Sequence, residues 1–140
     1  MRLFLDTSVL LAACGSTNGS SHALFSYARP QGWLLLTSPY ALEEVSRNLP
    51  KLPAAGTSQW VQLRPQLTVV DDVVSLDRPT VFTARKDRPI LFTALASADI
   101  LITLDKADFI DFVGRTFYGL AVTLPYEFLR TERAEGRLSL

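Results

Sequence analysis

The side chains able to do chemistry in this sequence are mostly carboxylates, and they recur at one kind of position. Asp6 closes the apolar run Leu3-Phe4-Leu5, which reads as a strand buried on both faces. Asp105 and Asp108 follow Ile100–Thr103, a second such run, and Asp87 precedes a proline-led apolar helix that ends near Ala98 and Asp99. In an open α/β sheet the carboxyl ends of the strands form the edge where ligands bind, so an acid there is either a cap for the next helix or part of a site. For Asp6 alone the cap is the better reading, although Thr7 or Ser8 is also placed to cap the helix that begins with Val9-Leu10-Leu11. The repetition of strand followed by acids favours the site. Carboxylates converging on one cleft repel, and either hold protons or require a cation among them. With one histidine and one cysteine in the chain, the donors are oxygens, which suit Mg²⁺ or Mn²⁺ better than zinc or copper. Such ions polarise phosphoryl oxygens and activate water, which makes phosphodiester hydrolysis the natural reaction class.

The elements that must position these acids alternate. Strands are expected at Leu3–Leu5, Trp33–Thr37, Leu67–Val70, Ile100–Thr103 and Tyr118–Leu124. Between them lie a helix from Val9, a loop over Cys14–Ser21, and a helix carrying His22 to Tyr27 that is stopped by Arg29-Pro30-Gln31-Gly32. A third helix runs from Tyr40 to about Leu49 behind a Ser38-Pro39 cap and carries Glu43 and Glu44. Its apolar stripe, Ala41, Val45 and Leu49 with Leu42 beside it, leaves one glutamate solvated and lets the other look back across the sheet edge. Pro50–Ser58 reads as a connection, Ser58–Pro65 as a fourth helix, and a last helix starts at Pro125. The segment from Val73 to Phe82 carries no clear pattern, and Arg133–Leu140 reads as frayed or held by a partner. Alternating strands and helices argue a Rossmann-like α/β sandwich of three layers around a central, mostly parallel five-stranded sheet.

At 140 residues with 48% hydrophobic content, a single domain spanning residues 1–140 is expected. Fourteen basic and fourteen acidic residues cancel, so no bulk charge advertises a nucleic-acid or membrane partner, and any such partner must be held locally. Cys14 has no intramolecular disulfide partner and reads as a small buried hydrophobe. With a strand expected by Leu3 there is no room for a signal peptide, and no run is long enough to span a bilayer, so a cytoplasmic location is expected.

Phe4-Leu-Asp-Thr-Ser-Val-Leu10, the Glu43-Glu-Val45 of the third helix, Lys86-Asp-Arg-Pro-Ile-Leu-Phe-Thr-Ala-Leu-Ala-Ser-Ala-Asp99 and Ile102-Thr-Leu-Asp-Lys-Ala-Asp-Phe109 together resemble the PIN-domain family. The closing Gly119–Leu129 segment is similar to the last strand and helix of its prokaryotic members. The resemblance implies a metal-dependent endoribonuclease, many relatives being toxins of toxin–antitoxin pairs. Carried over by position, it makes Asp6, Glu44, Asp87 and Asp105 the catalytic, metal-binding acids, with Mg²⁺ or Mn²⁺ as cofactor. Ser8 and Thr103 fall on auxiliary hydroxyl positions, and Asp108 is an auxiliary acid. The family's small residue before the late aspartate is Leu104 here, and the glycine before Asp99 is absent. RNA, an antitoxin protein and a second copy of the chain are the implied partners.

Arg85, Lys86 and Arg88 around Asp87, with Lys106 beside Asp105, offer a basic rim to an RNA backbone, against the plainer reading of a solvated helix terminus. His22 is expected near the surface or a helix cap. Trp33 and Trp60 are expected in the core or an interface, and Asp71, Asp72 and Glu43 in solvent. Two other classes compete. A catalytically silent PIN-like module that binds RNA or protein would not need all four acids. A phosphatase with a nucleophilic first-strand aspartate commonly has a second aspartate two residues on, where this chain has Ser8.

Overall fold

The computed structural model describes residues 1–73, 88–105 and 114–138. Five parallel strands form the sheet that the alternation predicts: β1 (Arg2–Leu5), β2 (Leu34–Thr37), β3 (Thr68–Val69), β4 (Ile100–Ile102) and β6 (Leu120–Thr123). The sequence reading misses a sixth strand, β5 (Arg115–Phe117), which runs antiparallel to β6, so that the order is β3-β2-β1-β4-β6-β5. Tyr118 and Gly119, with φ of 49° and 86°, make the two-residue turn between them. Positive φ at both positions is what a hairpin of this length requires. The stretch expected as one strand from Tyr118 is therefore a turn followed by β6.

The central strands are apolar on both faces because helices cover both. On one side Leu3, Leu5, Leu35 and Ile102 meet α1 (Thr7–Gly15), α2 (Ser20–Gln31), α4 (Ala54–Leu63) and α6 (Pro125–Ala134), with Trp33 edge-on to Phe128 at 5.1 Å between ring centres. On the other side Phe4, Leu36, Leu101 and Val122 meet Ile90, Leu91 and Ala94 of α5 (Arg88–Ser97). The helix α3 (Pro39–Asn48) serves both, placing Ala41 in the second cluster and Val45 in the first.

Local chemistry explains where the element boundaries differ from expectation. The α1 helix continues to Gly15, and α2 runs through Pro30 until Gly32 adopts a φ of 70°. There the Trp33 N–H reaches back to the Ala28 carbonyl at 2.8 Å. This closes the helix with the left-handed residue that glycine best supplies. Most of the expected Pro50–Ser58 connection is structured. A 3₁₀ turn occupies Leu49–Lys51 and α4 already begins at Ala54. Gly56 is buried there against Leu52, whose Cβ would lie 3.0 Å from any Cβ added at residue 56. The carboxyl-terminal residues are not frayed as far as they are described. Arg137 pairs with Glu132 and Glu135, and Leu138 is buried in the core beside α6. No helix among the described residues is long and apolar enough to cross a membrane.

Candidate active site

Asp6 stands where β1 gives way to α1, and the adjoining strands fix its backbone: its N–H donates to the Ile102 carbonyl of β4 at 3.0 Å. The helix is capped by Asp6 itself rather than by Thr7 or Ser8, since Oδ1 accepts the Thr7 N–H at 2.8 Å. Cap and site are thus not alternatives, because the second oxygen is engaged elsewhere. Oδ2 accepts the Thr103 hydroxyl at 2.6 Å and the Ser8 hydroxyl at 3.0 Å. Each hydroxyl in turn accepts a backbone N–H from the segment after β4. Leu104 donates to Ser8 Oγ at 3.1 Å and Asp105 donates to Thr103 Oγ1 at 3.0 Å. The amides use the hydroxyl lone pairs, which leaves the hydroxyl protons for the carboxylate. In this way the side chain of Asp6 sets the start of the segment that carries Asp105.

Asp6 is only 4% exposed. Burial pushes its carboxyl above the usual carboxylate range; the hydrogen bonds from Thr103, Ser8 and Thr7 pull it back, and the charge of Glu44 pushes it up again. Glu44 approaches from α3, half-buried, with Oε1 accepting the Thr7 hydroxyl at 2.9 Å, whereas Glu43 points into solvent. Of the neighbouring glutamates, then, Glu44 is the one that faces Asp6. Asp105 lies partly buried just beyond Thr103. Asp87, Asp108, Arg85, Lys86 and Lys106 lie outside the described residues, as does the side chain of Arg88, whose backbone opens α5.

The remaining acids serve other ends. Asp99 sits at the opposite, amino edge of the sheet, where it accepts the Arg2 N–H at 2.7 Å, and that bond holds its carboxyl below the usual range. Asp72 is exposed as expected, yet its Oδ1 accepts the Tyr40 N–H at 3.1 Å in the first turn of α3. The sequence reading missed this role; the available signal was an acid following β3 at the level of the Ser38-Pro39 helix start. The hydroxyl of Thr7, for which the sequence suggests only a cap, instead bonds Glu44. His22 is half-buried, with Nε2 lying 3.3 Å from Gln59 Oε1, and Trp60 packs against the core.

The donors around Asp6 are all hard oxygens, and the close approach of two carboxylates, one of them buried, is the situation a divalent cation relieves. The residues present therefore fit Mg²⁺ or Mn²⁺ in type. Among the described residues no three acids, histidines or cysteines gather closely enough to hold a metal by themselves. A cavity of about 650 Å³ between β6 and α6, lined by Ile100, Val122, Phe128 and Arg137 among others, has none of Asp6, Glu44 or Asp105 in its walls.

Solved structures share this fold. Among solved structures, the chain is similar to VapBC2 from Rickettsia felis, determined bound to a DNA fragment from its promoter. The TM-score is 0.62 at 16% identity, over 87% of this chain and 97% of the other. It is also similar to VapC20 from Mycobacterium tuberculosis, described as a toxin that cleaves the sarcin-ricin loop. Here the TM-score is 0.51 at 16% identity, over 78% of this chain and 94% of the other. At such identity these likenesses show a shared fold. No curated protein sequence matches. The family model of the PIN domain matches residues 2–107, a span that runs from β1 through Thr103 and Asp105, and the chain belongs to the PIN-domain family.

Proposed function

We propose that this protein is a metal-dependent endoribonuclease acting as the toxin of a toxin–antitoxin pair. The observation that carries the reading is the pairing at the carboxyl edge of the sheet: a buried Asp6, fixed by three hydrogen bonds, faced by Glu44. A structure rarely keeps a buried acid beside another acid without a positive partner for both. Asp6, Glu44, Asp87 and Asp105 would hold Mg²⁺ or Mn²⁺, which when bound supplies Lewis-acid polarisation of a phosphate and a more acidic water. The chain's own part is to orient these carboxylates. Ser8 and Thr103 keep one oxygen of Asp6 engaged, Thr103 fixes the backbone of Asp105, and Asp108 is an auxiliary acid. Arg85, Lys86, Arg88 and Lys106 would offer the RNA backbone a basic rim on an otherwise neutral protein. By analogy with other metal nucleases the products carry a 3′-hydroxyl and a 5′-phosphate.

The toxin reading is supported by the fold shared with VapBC2 and VapC20. An antitoxin protein and a second copy of the chain are its proposed partners, and the cytoplasm is its proposed location. The test is calorimetric titration of Mn²⁺ and Mg²⁺ into the purified protein and Asp6→Asn, followed by incubation of each with a mixed single-stranded RNA pool, with and without chelator. Metal binding and chelator-sensitive cleavage by the wild type, both lost in Asp6→Asn, support the nuclease. A wild type freed of copurifying protein that binds no metal and leaves the RNA intact overturns it in favour of a silent binding module.

A further inference from the structure

We infer that Thr7 is the residue that positions Glu44 for the metal, and that it does so by holding both carboxylates at once. This rests on the nuclease reading above. The Thr7 N–H donates to Asp6 Oδ1 at 2.8 Å, and its hydroxyl donates to Glu44 Oε1 at 2.9 Å. No other residue among those described bonds to both acids.

The two halves of this bridge differ in what they require. The N–H belongs to any residue other than proline at the first position of α1, so the contact to Asp6 does not depend on the side chain. The contact to Glu44 does. Glu44 comes from α3 on a flexible side chain with three torsions, and it is half-buried at the margin of the core, where water competes for its carboxylate. The repulsion from Asp6 favours a rotamer turned outward. Opposing this, the Thr7 hydroxyl is well placed: the residue is 8% exposed, and its backbone is fixed at the start of the helix. A β-branched side chain there has few rotamers to choose from, so the donor is aimed before any ligand arrives. With Oε1 occupied by Thr7, no hydrogen bond from a described residue engages Oε2 of Glu44.

The experiment is Mn²⁺ titration by calorimetry into the wild type, Thr7→Val, Thr7→Ser, Glu44→Gln and the double variant Thr7→Val/Glu44→Gln, with RNA cleavage measured in parallel. Valine keeps the shape and the N–H and removes only the hydroxyl. Serine keeps the hydroxyl. Partners that orient a metal ligand are typically worth about 10–100-fold in affinity or activity. Expected are a loss of that size in Thr7→Val, recovery of most of the affinity in Thr7→Ser, and no further loss on adding Thr7→Val to Glu44→Gln. Thr7→Val binding Mn²⁺ as tightly as the wild type, or weakening Glu44→Gln as much as it weakens the wild type, overturns the role of Thr7 while leaving the nuclease standing. A wild type that binds no Mn²⁺ removes the nuclease reading and this inference with it. Circular dichroism of Thr7→Val separates misfolding from loss of the hydroxyl, and should a misfolded valine variant result, the Thr7→Ser and Thr7→Ala pair decides by the same comparison.

Discussion

Thr103 and Asp6 lie 97 positions apart in the chain, yet the hydroxyl of one donates to the carboxylate of the other at 2.6 Å, in a place from which solvent is excluded. The same hydroxyl oxygen accepts the N–H of Asp105 at 3.0 Å, so it couples the acid after β1 to the acid after β4. Thr103→Val cuts both bonds without changing the shape of the side chain. It leaves one amide and one carboxylate oxygen short of a partner, which costs about 1–3 kcal/mol. Urea denaturation of the metal-free protein should show that loss, and cleavage should fall with it because Asp105 is no longer held. A Thr103→Val protein as stable as the wild type would show that the coupling is not made in solution.

Asp6 gives the protein a characteristic pH dependence. Its carboxyl is raised above the usual value near 3.8, chiefly by burial, so the folded state binds its proton more tightly than the unfolded state does. The associated stability is fully present below the unfolded value and is lost as pH rises through the folded one. In metal-free protein the stability of the wild type relative to Asp6→Asn should therefore decline from about pH 4 upward, until Asp6 is ionised. Saturating Mn²⁺ should reverse the order at neutral pH, because only the wild type binds it, by about 2.7 kcal/mol at a hundredfold excess over Kd. Thermal melts of both proteins across pH, with and without Mn²⁺, check both signs.

The two adjacent glutamates provide an internal control. Glu44 faces Thr7 and Asp6, while Glu43 is exposed on the same helix. Glu44→Gln should weaken Mn²⁺ binding and cleavage at least as much as loss of an orienting partner does, about 10–100-fold. Glu43→Gln should alter neither by more than about twofold, as befits a solvated surface charge. The comparison is read by the same titration and the same RNA pool, and equal losses in the two variants would remove Glu44 from the site.

Much of this arrangement is legible in the sequence because its determinants are local. Leu3-Phe4-Leu5 and Ile100–Ile102 are short runs apolar on both faces and read as central strands, which places Asp6 and Asp105 on one edge. Ser38 caps α3 through the Ala41 N–H, as Ser38-Pro39 predicts, and the stripe of Ala41 and Val45 turns one glutamate inward. What escapes the sequence depends on distant partners. That Asp6 caps its own helix while binding Thr103 needs β1 and β4 side by side. The bridge from Thr7 to Glu44 needs α1 packed on α3. The β5–β6 hairpin is hidden because Tyr118, a residue that rarely takes positive φ, stands where asparagine or glycine would have signalled the turn. Leu138 folds back through the left-handed turn at Gly136, which short polar flanks disguise as a loose tail.

Thr37 offers a test of the fold apart from its chemistry. It closes β2, is fully buried, and its hydroxyl is the only buried side-chain polar atom without a hydrogen-bond partner among the described residues. A buried hydroxyl that has given up its water and gained no partner costs free energy, whereas an apolar group of the same shape does not. Thr37→Val keeps the β-branch suited to a strand and removes only that group. The substitution should stabilise the metal-free protein by about 1 kcal/mol. Denaturant unfolding should then show a higher midpoint at an unchanged slope, since the same surface is exposed on unfolding. Mn²⁺ affinity serves as the second measurement. If Thr37→Val instead destabilises the protein and weakens the metal, the hydroxyl has a partner in solution, and its place at the end of β2 would put that partner at the same sheet edge as Asp6.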